Sequence, residues 1–236
     1  METKKFEYDV ELRPYLRMLG FLSIGLFAII PSQAAVYFIS PPPTTVIQYF
    51  ALFQKNAFLG LLDLDLSLTV DNLLFLLVYI GFYFLFRQYN RILVTIALIF
   101  AIISVALYVI SREALFSMMN LSNQYSIASG ETEKTALITV GQTMLTIFNG
   151  TCFNVSYFLG GLIIILFSIA MLKNKIFTKI TAWLGLSMGL FMLIPPTFGK
   201  FGLILSFLSI ILILPWLILI AIRFFKLSKQ NFSQKE

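Results

Sequence analysis

The sequence predicts an all-α, polytopic transmembrane helix bundle of six spans with short extra helices at the outer face, and three observations predict it. Hydrophobic residues make up 59% of the 236 residues and charged residues 12%. With a mean hydropathy of +0.90, the chain carries more apolar surface than one soluble core could hide. The apolar residues gather in runs of membrane-crossing length, about 20 helical residues for a hydrocarbon core of roughly 30 Å. The 17 Lys and Arg, part of a formal net charge of +6, sit at the ends of those runs. That pattern is topology and excludes a nucleic-acid patch.

Composition also removes chemistry. Without histidine there is no imidazole acid/base group, no histidine zinc site and no histidine-ligated haem. Cys152 is the single cysteine, so no intrachain disulfide or CxxC centre forms, and it reads as a small buried hydrophobe. No cofactor and no metal site are expected.

The elements follow in order. Residues 1–17 form a basic cytoplasmic segment, the spans occupy 18–222, and 223–236 is a basic cytoplasmic tail. Span one is Met18–Ile39 with a kink at Pro31, long enough to be a retained span instead of a cleaved signal. Ser40-Pro41-Pro42-Pro43 stops it, because proline cannot donate to the helical ladder. Thr44–Phe58 has apolar residues at helical spacing and reads as a short helix in the interface. Span two is Leu66–Phe86 and span three Ile92–Ile110, an antiparallel pair. Ser111–Thr135, with its charges and Asn-Ser-Gly punctuation, reads as an aqueous loop.

Ala136–Leu172 holds no charge for 37 residues, roughly 55 Å as one helix and too long for a single span. The predicted break is Asn149-Gly150, with span four at Gly150–Leu172 and the preceding piece lying outside, re-entering, or shielded by protein. Span five is Ile180–Ile194, ending at Pro195-Pro196, and span six is Phe201–Ile222 with Pro215 inside. An inward N-terminus puts 13 of the 17 Lys and Arg on the cytoplasmic side, and the positive-inside rule then places both termini there.

Two stretches carry a resemblance: the close of span two, Tyr83-Phe84-Leu85-Phe86-Arg87-Gln88-Tyr89-Asn90-Arg91, and the hinge Lys173 to Lys179 followed by Leu184-Gly185-Leu186-Ser187-Met188-Gly189. In these the chain resembles the bacterial six-helix membrane proteins grouped as domain of unknown function four-three-eight-six. The resemblance implies a six-span integral protein of a bacterial plasma membrane and supplies no reaction, ligand or site residue.

The candidate chemistry starts with Asp63, Asp65 and Asp71, which run into the front of span two, since acids in a bilayer are functional candidates by default. At 100° per residue Asp65, Thr69, Asn72 and Tyr79 share a stripe and Asp71 points about 100° away. Asp71 lies about 8 Å inside the span. Asn149, Asn154 and Ser156 fall at similar depth on span four, which runs the same way. The sharper reading is an outward-facing polar pocket between spans two and four, built from Asp71, Asn72, Gln142, Asn149, Asn154 and Ser156 and taking a small or lipid-like ligand. The plainer reading leaves Asp63 and Asp65 solvated at the outer interface, suited to a helix N-terminus, with Asp71 a packing contact.

Gly185-x-x-x-Gly189 permits close helix approach, inside the bundle or in a homo-oligomer. Leu22–Pro31 and Leu186–Pro195 match at seven of ten positions, which reads either as a duplication of the kind transporters carry or, since the flanking spacings differ, as the coincidence that an alphabet this apolar makes easy. No Gly-x-Gly-Asp protease motif and no phosphate loop occurs, so an enzyme is not expected. The functional readings are a ligand-binding membrane protein, a proton- or cation-coupled transporter using Asp71, and a scaffold or immunity-type protein. The partners expected are the bilayer and a small-molecule or lipid ligand.

Overall fold

The computed structural model describes residues 12–229, and among them its regular structure is all helical, without strands. The ten helices are α1 (Leu12–Ile39), α2 (Val46–Lys55), α3 (Ala57–Asp63), α4 (Leu66–Phe86), α5 (Arg91–Ser111), α6 (Ala114–Ile127), α7 (Glu131–Phe148), α8 (Thr151–Lys173), α9 (Lys179–Phe191) and α10 (Gly199–Lys229). Residues 1–11 of the expected cytoplasmic segment and 230–236 of the expected tail lie outside the described residues.

Six helices form a closed ring in which α1 packs on α4, α4 on α5, α5 on α8, α8 on α9, α9 on α10, and α10 on α1. Its core is aromatic. Phe82 of α4 is fully buried and meets Phe86, Phe167, Phe177, Trp216 and Phe224 with ring centroids 5.4–5.9 Å apart. Such offset and edge-on contacts each add about 0.5–1.5 kcal/mol beyond area burial. The ring presents aliphatic and aromatic residues outward, among them Ile24, Ile99, Ile103, Phe207 and Ile211, as a lipid-facing wall requires.

Five helical stretches, carrying α1, α4, α5, α8 and α10, are long and apolar enough to cross a membrane. The helix expected as span five is shorter than predicted. α9 has 13 residues, about 20 Å of rise, because Met192 closes it and Pro195-Pro196 prevent continuation. It still completes the ring between α8 and α10. The proline expected to kink span one and the one inside span six both lie within continuous helices.

The remaining helices, α2, α3, α6 and α7, pack together as a cap over one end of the ring. They share a second core of Val46, Tyr49, Phe50, Phe53, Leu64, Ala114, Leu115 and Met118. Thr45 and Gln48 form a reciprocal capping box that starts α2. Asn56 ends α2 and its side chain accepts from the Leu59 amide to start α3. Ser122 of α6 donates to the Phe50 carbonyl and accepts from Gln54. Gly141 lets α7 approach α2, since a Cβ there would stand 2.5 Å from Val46. The predicted aqueous loop 111–135 is therefore corrected: most of it is α6 and the first turn of α7. It folds because Ala114, Leu115 and Met118 bury against α2 and α3, a partnership that polar punctuation conceals.

Candidate functional site

The site is the junction of cap and ring, built around Asp65. α3 and α4 meet there in a tight turn, and Asp65 adopts the left-handed conformation (φ 67°), the one non-glycine residue with positive φ among the described residues. Asp tolerates that region better than most residues, and non-glycine residues held there cluster at functional sites. The Asp65 side chain makes no helix-capping bond. One carboxylate oxygen takes the Tyr37 hydroxyl of α1, and the other takes Arg112 Nη2 at 2.8 Å.

Arg112, in the turn between α5 and α6, is 4% exposed. Its Nη1 donates to the Phe148 carbonyl at 2.9 Å and to Ser111 Oγ at 3.0 Å. Its guanidinium carbon lies 3.9, 4.3 and 4.7 Å from the ring centroids of Phe148, Tyr108 and Phe153. The planar guanidinium suits this cage, because it stacks on aromatic faces while its edge donates in a fork. The Phe148 carbonyl is at the C-terminus of α7, where a cation is also favoured by the helix dipole. Arg112 thus joins the α3–α4 turn, α5, α7 and α8, and Asp65 adds α1 through Tyr37. Alongside, Gln33 of α1 donates to the Leu62 carbonyl at 3.0 Å and accepts from Ser67, a second tie between ring and cap.

Two further acids are buried nearby. Asp63 is 3% exposed and neither carboxylate oxygen has a hydrogen-bond partner among the described residues. Burial, then the charge of Asp65, pushes its carboxyl up to about 6. Asp71 is 6% exposed, with one oxygen lacking a partner. It lies within electrostatic range of Tyr79 and Tyr108. The expectation that Asp63 and Asp65 are solvated at the interface is corrected: the cap covers both, and Arg112 supplies the compensating charge for Asp65.

Above the ion pair is a cavity of about 490 Å³ between Pro43-Thr44, α2 and α7. Tyr49, Gln142, Thr146 and Asn149 give it polar groups, with Leu145 and Phe148 as apolar walls. Two of its residues relate it to the junction, one by contact and one by charge. Phe148 is both a ring and a carbonyl partner of Arg112, and Tyr49 interacts electrostatically with Asp63 and Asp65. Burial, then those two acids, pushes the Tyr49 hydroxyl up to about 12, so at neutral pH it is a neutral donor and acceptor.

The residues predicted for one pocket are not brought together in one place. Gln142 and Asn149 line the cap cavity. Asn154 lines a different, apolar cavity and accepts from Thr197 while donating to the Gly150 carbonyl at 2.8 Å. Ser156 is buried against Ser104 of α5. Asp71 faces inward, and the Asn72 amide donates to its own helix at Leu68. Gly185 and Gly189 both face neighbours within the chain: a Cβ at Gly185 would meet Ser168 and Trp216, and one at Gly189 the Gly161 carbonyl.

Sequence reasoning missed Arg112, Tyr37 and Gln33. The signal for Arg112 was present: α4 and α5 have 21 residues each and are joined by a four-residue turn. The residue just before one and just after the other, Asp65 and Arg112, therefore stand at the same level.

These features define an integral membrane protein of the polytopic helical class, with a helical cap held on its bundle by a buried ion pair. The chain belongs to the family described as Domain of unknown function (DUF4386), which matches residues 19–228. No curated protein and no solved structure matches it.

Proposed function

We propose that the protein is a non-enzymatic, multi-pass protein of the bacterial plasma membrane, with both termini cytoplasmic, that binds a small polar or lipid-like ligand in the cavity of the cap. The observation that carries this reading is that Phe148 lines that cavity and also holds Arg112 of the junction through its ring and its carbonyl. A ligand touching Phe148 also touches a residue that fastens cap to bundle. The cavity's volume falls in the range of small-molecule sites, about 300–1,000 Å³. Its polar lining is hydroxyl and amide with no charged side chain, which matches a neutral hydrogen-bonding ligand.

Charge distribution supports the orientation. Among the described residues the cap-free end holds ten Lys and Arg and no acid, while all six described acids lie in the cap, at its junctions with the ring, or in the first two turns of α4. That asymmetry supports a cap on the outer side. The non-enzymatic reading rests on the missing histidine and the single cysteine.

The test is a thermal-shift screen of purified protein against neutral sugars, polyols and amides and against a bacterial polar-lipid extract, repeated with Thr146→Phe and Asn149→Ala. Stabilisation of the wild type that both variants lose supports the site. Stabilisation retained in both refutes it. A second reading, proton- or cation-coupled transport, draws on the buried acids Asp63 and Asp71. Flux in proteoliposomes that does not respond to a pH gradient counts against it.

A further inference from the structure

A second cavity, also about 490 Å³, opens on the side of the bundle between α8 and the segment joining α9 to α10. It exists because α9 stops early. The ring is closed there by irregular backbone, 192–198, instead of a helix. Backbone at membrane depth is tolerated only where something shields its polar groups from hydrocarbon. Pro195 and Pro196 bring no N–H to satisfy, and the Pro195 carbonyl accepts from Phe198 and packs on Gly202, where a Cβ would stand 2.2 Å from it.

The walls of this groove are Val155 and Phe158 of α8, Ile194, Phe198 and Phe201, and four of these, Val155, Phe158, Phe198 and Phe201, are exposed. The one amide, Asn154, is engaged by Thr197 and Gly150, leaving little for a polar ligand to bond. Lys200, which lies in the chain between the wall residues Phe198 and Phe201, is exposed and without an ion pair among the described residues. It lies in the first turn of α10, which contains no acid. A cation there adds to the positive end of the helix dipole instead of opposing it. The groove is therefore apolar along its length and positive at its rim.

We propose that this groove seats an acyl chain of an anionic phospholipid, whose headgroup phosphate pairs with Lys200 at the N-terminus of α10. The chain covers the irregular 192–198 backbone that α9 fails to replace, and the headgroup supplies the anion that the first turn of α10 lacks. A zwitterionic lipid fills the same groove but brings its own ammonium to the rim, so the site discriminates by headgroup charge. This occupant is independent of whatever enters the cap cavity, and it needs no contact with Gln142 or Asn149.

The experiment uses the full chain, delipidated in detergent and reconstituted into nanodiscs of phosphatidylcholine alone or with phosphatidylglycerol. Melting temperature and lipid retained on native mass spectrometry are both read. The expected result is a rise of roughly 5–10 °C in phosphatidylglycerol, the shift that a ligand well above its dissociation constant gives a chain of this size, with phosphatidylglycerol retained in preference to phosphatidylcholine. Lys200→Glu abolishes the preference. Val155→Trp, which fills the groove from an exposed position, abolishes the shift while leaving the melting temperature in phosphatidylcholine no lower than wild type. Lys134→Glu, on the cap, keeps both. Equal behaviour of the two lipids with the wild type overturns the proposal, and so does a full phosphatidylglycerol shift in both Lys200→Glu and Val155→Trp.

Discussion

Replacing Asp65 by Asn is the sharpest perturbation of the junction, because Asn keeps tolerance of the left-handed backbone and nearly the same shape while removing one charge. At 2.8 Å and an effective dielectric of about 20, the pair attracts by about 6 kcal/mol gross. Desolvation of two buried ions offsets much of that, so the net value of the pair is small, yet removing one partner strands the other. Stranding Arg112 costs about 3–5 kcal/mol. For a chain of this length that is a fall in melting temperature of roughly 6–20 °C. The double variant Asp65→Asn, Arg112→Met leaves no stranded charge and loses less than the two single variants added together. Arg112→Lys keeps the charge but loses the fork and the stacking on Phe148, Tyr108 and Phe153, and it behaves like a single deletion. The assay is melting of purified protein followed by intrinsic fluorescence. A single Asp65→Asn variant melting within about 2 °C of wild type, or strictly additive losses in the double variant, refutes the claim that this pair fastens the cap.

Two other outcomes follow from the same geometry. Asp63 has its carboxyl raised from 3.8 to about 6, so the folded state binds that proton more tightly than the unfolded chain. The resulting stability is full below pH 3.8 and is lost as pH rises through about 6. Asp63→Asn therefore raises stability by about 1–3 kcal/mol at pH 8 and changes it little at pH 4; equal effects at the two pH values contradict burial of the ionised form. Gly189→Ala drives a Cβ to 2.8 Å from the Gly161 carbonyl of α8 and costs about 1–3 kcal/mol, whereas Gly25→Ala meets nothing within 4 Å and gains up to about 1 kcal/mol of helix propensity; comparable melting temperatures for the two variants refute this contrast.

Gly25 and Gly189 occupy equivalent places in the Leu22–Pro31 and Leu186–Pro195 echo, and their unlike surroundings show how little identity in an apolar alphabet says about environment. Span positions were legible because hydrophobic length is a one-dimensional signal: Leu66–Phe86 appears as predicted, and the break at Asn149-Gly150 separates α7 from α8. The cap was legible only in part: a short helix within Thr44–Phe58 and a helical piece ahead of Asn149-Gly150 were expected and appear as α2 and α7, but α6 and the shared core were not, because these helices are only moderately apolar and acquire a core only by packing on one another. Residues 111–135 look like a solvated loop until Leu115 and Met118 find Phe50 and Phe53. The ion pair was half legible. Asp65 stood out among the acids at the front of span two but read as solvated, and the equal lengths of α4 and α5 that set Arg112 opposite it were legible yet not drawn on, because the roofing that buries both comes from segments distant in sequence. Depth alone grouped Asp71, Asn149, Asn154 and Ser156, and it failed to separate them because which way a side chain faces depends on the ring order of the helices.

The central claim is an outward-facing cavity in the cap, and cysteine labelling at its wall tests it most directly. In a Cys152→Ser background, Thr146→Cys places one thiol in the cavity. The account predicts that a membrane-impermeant maleimide modifies it in intact spheroplasts, at a rate slowed by any molecule that stabilises the protein in the thermal-shift screen. Modification only after the membrane is permeabilised contradicts the orientation, and a labelling rate indifferent to such a molecule contradicts the cavity as its site.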